Sequence, residues 1–99
     1  MTEFKFNYLK LGPNITIEDV VEDVQASLKE KPIKKENYSF EVIKNRSRYQ
    51  FVAVVPSLYD ARAIIHEISR TLHEKNPSRY KYENFFNDCL TYERKLEPL

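Results

Sequence analysis

Phe4, Phe6 and Tyr8 alternate with Lys5 and Asn7 over residues 3–9, the two-residue period of a strand with one buried face. Leu11-Gly12-Pro13-Asn14 breaks that pattern. The period then changes. Ile17, Val20, Val21, Val24 and Leu28 fall on one side of a helix. Thr16 suits its N-cap, and Asp19, three residues on, completes an acidic form of the capping box. Ile15 and Val20 sit at the staple positions around that cap. Glu18, Asp19, Glu22 and Asp23 load the start of the helix and Lys29 and Lys31 its end, as the helix dipole favours. Pro32 stops it.

Two further alternating runs follow. Tyr38, Phe40 and Val42 interleave with Ser39 and Glu41; Tyr49, Phe51, Ala53 and Val55 interleave with Gln50, Val52 and Val54. Lys44-Asn45-Arg46-Ser47 reads as the hairpin loop between them, without the Asn-Gly of the tightest turns. From Phe51 to Val55 the third strand is apolar on both faces, which places it inside the sheet. A second helix begins at Ser57, with Asp60 at its third position, and Leu58, Ala61, Ile65, Ile68 and Leu72 form its stripe until Asn76-Pro77. Tyr82, Phe85, Phe86, Cys89 and Leu96 predict a third helix from about Tyr82 to Leu96.

The order β-α-β-β-α-α predicts a single α+β domain over residues 1–99. Its three-stranded antiparallel sheet has order 1-3-2, with two helices on one face and the third helix C-terminal to them. A right-handed crossover joins strands one and two.

Composition narrows the class. Hydrophobic residues make up 41% of the 99 positions, enough for a packed core, so a disordered chain is not expected. Cys89 has no partner for an internal disulfide, and the N-terminal run lacks the apolar stretch of a signal peptide or membrane span. A cytoplasmic location is the expectation. Sixteen basic and fifteen acidic side chains leave a net charge of +1, which gives no global attraction for nucleic acid or membrane. Richness in Lys, Asn, Tyr and Ile points towards a low-GC bacterium or its phage.

The order β-α-β-β-α resembles the beginning of an RNA-recognition motif, and Ser47–Val54 puts aromatics where strand three of that family stacks bases. The family's glycines are missing from that segment, since Gly12 is the only glycine in the chain. The resemblance implies that Tyr49 and Phe51 face solvent. Packing implies the reverse. The opposite sheet side would hold Lys5, Asn7, Ser39, Glu41, Ile43, Gln50, Val52 and Val54, a half-polar set that two apolar helix stripes cannot pack on comfortably. The ring-bearing side, with Phe4, Phe6, Tyr38, Phe40, Tyr49 and Phe51, is therefore assigned to the core.

Candidate chemistry is sparse. Lys34, Lys35, Lys44, Arg46 and Arg48 would form a phosphate-binding patch if the helix-one exit and the hairpin loop meet at one end of the sheet. His66 and His73 lie about 10 Å apart along helix two, too far for one zinc, and are read as solvent-facing. Cys89 is placed on an apolar stripe without a histidine beside it. Neither a glycine-rich phosphate loop nor a nucleophile elbow occurs, so no enzyme activity, metal or cofactor is expected.

The leading expectation is a small non-enzymatic protein-binding module, such as a regulator, inhibitor or immunity-type protein. Tyr80, Tyr82, Phe85 and Tyr92 would make contact, and Glu18 and Glu22 would serve as an acidic handle. A homodimer through the third helix is a variant of that expectation. The alternative is a nucleic-acid-binding domain using the basic residues named above.

Overall fold

A computed structural model describes residues 1–7, 15–46, 48–81 and 89–97. The N-terminal alternation forms β1 (Thr2–Asn7), and the capped stripe forms α1 (Ile17–Glu30). Thr16 Oγ1 accepts from the Asp19 amide at 3.2 Å while Asp19 accepts from the Thr16 amide at 3.5 Å, so the capping box closes in both directions. The hairpin follows as β2 (Ser39–Asn45) and β3 (Arg48–Val55), then α2 (Leu58–Lys75). Ser57 caps α2 by accepting from the Asp60 amide, and Asp60 also accepts from the Tyr38 hydroxyl at 3.3 Å. This contact ties the approach to β2 to the start of α2.

The C-terminal segment departs from the expected helix. Cys89–Lys95 is a strand, β4, antiparallel to β1, so the architecture is β-α-β-β-α-β with four strands and two helices among the described residues. Tyr82, Phe85 and Phe86, which anchored the helical reading, lie outside the described residues. The physical reason for the strand is on the partner side. Without β4 the outer backbone groups of β1 would be unpaired, and the segment Cys89–Lys95, which carries β-favouring Tyr92 opposite Lys5, supplies the complement. Leu90 then stands opposite Phe6 and packs against the core. The homodimer expected through a third helix loses the element it was built on.

The sheet order is β2-β3-β1-β4, every neighbour antiparallel. It contains the expected 1-3-2 arrangement and adds β4 beyond β1. The connectivity is that of the ferredoxin-like split βαβ unit.

Both helices cover one face. Phe4, Phe6, Phe40, Phe51, Ala53 and Val55 from the strands form one buried cluster with Val20 and Val24 of α1 and Ala61, Ile65, Ile68 and Leu72 of α2. Phe40 and Phe51 stack with ring centroids 6.3 Å apart. The ring-bearing side is thus the core, as packing required.

A clamp closes the helix layer after α2. Asn76 caps the helix, the chain turns, and Tyr80 enters the core with 1% of its surface exposed. Its hydroxyl donates to Asp23 of α1, which also accepts from Arg79 at 2.9 Å. His73 Nδ1 donates to the Tyr80 carbonyl oxygen at 2.6 Å, so His73 is not the free surface histidine its spacing suggested; His66 is exposed. Glu30 and Lys75 pair across the two helices. Tyr80 was expected at an interface, but it locks α1 to the end of α2. No helix of the described residues is long and apolar enough to cross a membrane.

Candidate functional site

Because side chains alternate across each strand, seating Phe4 and Phe6 beneath the helices turns Glu3 and Lys5 to the other face. The strand register arranges that face in rows. Glu41, Val52, Lys5 and Tyr92 form one row across the four strands, and Ser39, Val54, Glu3 and Arg94 the next. Ile43 stands beside Gln50 in a third. Val52, at the centre, is only 4% exposed, whereas Ile43 and Tyr92 towards the two edges are 41% and 39% exposed. The Lys5 ammonium lies 4.6 Å from the centre of the Tyr92 ring, and Arg94 approaches Glu3 at 3.6 Å. The result is a face on which Ile43, Val52, Val54 and Tyr92 are interleaved with charges of both signs, Lys5 standing between Val52 and Tyr92.

The arrangement differs from a base-stacking platform. On β1 and β3 the open face presents Glu3, Lys5, Gln50, Val52 and Val54, while Phe51, buried completely, points into the core and Tyr49 shares its side. Stacking needs an accessible ring face, and those two strands offer none on the open side.

The expected basic patch is divided. Lys34 and Lys35 precede the Ser39 end of β2, where the Lys35 ammonium lies 5.3 Å from the centre of the Tyr38 ring. Lys44 and Arg46 stand at the other end, and Lys44 packs over Tyr49 at 5.5 Å. From Ser39 to Lys44 the strand spans about 17 Å. Arg48, opposite Asn45, belongs to the hairpin end as well. The four-residue loop expected there is shorter, because Asn45 already pairs with Arg48, and Arg46 takes φ 59° in the left-handed region.

Of the residues expected at a protein interface, Tyr92 is on the open face, Glu18 and Glu22 are exposed on α1, and Tyr80 is in the core. Tyr82 and Phe85 lie outside the described residues. Ile43 and Lys5 were missed as surface candidates. The parity of β1 and β2 contained the signal, since Lys5 lies between the core residues Phe4 and Phe6, and Ile43 is an odd number of positions from Phe40, so each faces the opposite way. Among the described residues no three His, Cys, Asp or Glu side chains gather closely enough to hold a metal ion.

Comparison with family models, with curated proteins and with solved structures gives no match, so the functional reading rests on this chain's own geometry.

Proposed function

We propose that the domain is a non-catalytic protein-binding module that engages its partner through the open face of the sheet. One observation carries the reading. Among the described residues no helix covers the face that exposes Ile43 and Tyr92 beside a buried Val52, with Glu3, Lys5, Glu41 and Arg94 between and around them. An apolar centre with an aromatic and an arginine, bordered by polar groups, is the usual anatomy of an interface core and rim. The separation of Lys34 and Lys35 from Lys44, Arg46 and Arg48 counts against a single phosphate-binding surface.

The patch is small. Four strands about 4.8 Å apart and roughly five residues of each give a footprint about 15–20 Å on a side, below a standard stable interface. The expected association is of the transient class, regulatory rather than obligate.

The test uses the double variant Ile43→Ser, Tyr92→Ser. Both side chains are exposed, so the variant melts in one transition near the wild-type temperature. Cross-linking of immobilised wild type in a cell extract, read by mass spectrometry, identifies a partner whose recovery falls at least tenfold with the variant. Equal recovery by a folded variant removes the open face from function.

A further inference from the structure

The two edges of the sheet are built differently. At β4 the pairing with β1 shifts register between Lys5 and Phe6, leaving Thr91 as the extra residue, and its hydroxyl donates to the Lys5 carbonyl at 3.1 Å. Glu93, Arg94 and Lys95 follow in succession. Bulges and consecutive charges are the devices by which proteins keep other strands off an edge. At β2 those devices are absent. Ser39–Asn45 pairs with β3 through seven consecutive residues without a shift, and among the described residues no strand lies beyond it. Phe40, Val42 and Ile43 occupy its middle with the exposed Glu41 between the first two, and Lys44, its one cation, is drawn back over Tyr49.

Charge selects what would add there. Lys34 and Lys35 stand at one end of β2 and Lys44 and Arg46 at the other, with Glu36 and Glu41 the acids in this stretch. A second copy pairing antiparallel about Val42 would bring Arg46 of each chain against Tyr38 of the other, where Lys35 already sits 5.3 Å from the ring centre. Both ends would then place cation against cation, which opposes self-pairing. A strand with acidic residues at both ends and an alternating apolar centre meets the opposite situation at each end.

We infer that the outer edge of β2 is a strand-addition site for an extended peptide segment of another protein, flanked by Asp or Glu on both sides. This rests on the reading of the domain as a protein-binding module and assigns that module an edge and a class of ligand. Added backbone hydrogen bonds would supply affinity, the apolar positions would extend the open face past Ile43, and the basic ends would fix register.

The experiment is an NMR titration with a synthetic peptide of two acids, three Thr-Val repeats and two acids. Its control carries lysines in place of the acids. The acidic peptide shifts the amides of residues 39–45 and binds at least tenfold more tightly than the control. The exposed double variant Lys35→Glu, Arg46→Glu reverses that preference. Several results overturn the inference: no response at millimolar peptide, equal response to both peptides, or shifts at 89–95 instead. It also fails if the free protein dimerises through β2, or if a ten-residue oligothymidylate shifts the same amides as strongly, since the basic ends would then read phosphate. These failures leave the loss of partner recovery with Ile43→Ser, Tyr92→Ser intact. Failure of that earlier test with the peptide preference intact removes the open face alone.

Discussion

Strand β1 sends Phe4 and Phe6 to one side of the sheet and Glu3 and Lys5 to the other, so neighbouring residues live in opposite environments. On the roofed side the phenylalanine rings of β1, β2 and β3 join one cluster with the stripes of α1 and α2 and are nearly free of water contact. On the open side, Val52 alone of the residues in its row is buried; Lys5 lies over the Tyr92 ring, and Glu41 is exposed. The difference teaches where stability and recognition are divided in this fold. The roofed face supplies the folding energy, and the open face is left free to vary.

The sharpest way to break that division is a pair of aromatic truncations. Phe51→Ala, at a fully buried ring stacked on Phe40, is expected to cost about 3–5 kcal/mol. Tyr92→Ala, on the open face, is expected to cost about 1 kcal/mol or less. Urea unfolding of both variants measures the ratio. Against a total stability of about 5–15 kcal/mol, the first change leaves a marginal domain and the second a normal one. Comparable losses would show the open face to be covered and the division false.

The roofed face was the legible part of the chain. Aromatics at every second position and helical stripes at three- and four-residue spacing each bury one side, and only one pairing of sheet side with helices keeps Lys5, Glu41 and Gln50 in water. Caps at Thr16 and Ser57 were equally readable, because their hydrogen bonds are local. The C-terminal segment was not. Cys89–Lys95 contains one strongly apolar residue, Leu90, and takes its strand form from the free edge of β1, a partner more than eighty positions away in sequence. Tyr80 was misplaced for a related reason: nothing local to it announces Asp23. The open face was in plain sight as the complement of the core, yet its residues attract no notice in a search for apolar stripes.

The clamp sharpens the comparison by showing what holds the roof on. Asp23→Asn removes the ion pair with Arg79 and weakens the acceptor of the Tyr80 hydroxyl, at an expected cost of about 1–3 kcal/mol. The same site gives the roofed face a pH dependence. Burial, and then the hydrogen bond to Asp23, raise the Tyr80 phenol well above its ordinary value of 10.0. The unfolded phenol ionises first. The Tyr80 contribution is therefore fully present below about pH 9 and is lost above about pH 10, at no more than about 1.4 kcal/mol per pH unit. Melting curves from pH 8 to 11 should show a decline in the wild type that is shallower in Tyr80→Phe. Identical slopes would mean that the phenol is as wet as one on the open face.

The smallest effect probes how tightly the open face holds itself. Lys5 lies over Tyr92 at 4.6 Å, but the ring is more than a third exposed, so water competes with it for the ammonium. A cycle of Lys5→Met and Tyr92→Leu preserves most of the apolar stem and area while removing the cation and the aromatic face in turn. The expected coupling is about 0.5 kcal/mol, the value for an exposed pair. A coupling near 2 kcal/mol would be that of a desolvated pair, and the row Glu41-Val52-Lys5-Tyr92 would then be sealed like the roofed side. A coupling near zero would leave Tyr92 untethered and dependent on a partner for its order. The intermediate value is the one a recognition surface needs: ordered enough to limit the entropy lost on binding, and loose enough for Lys5 to leave the ring when a partner arrives.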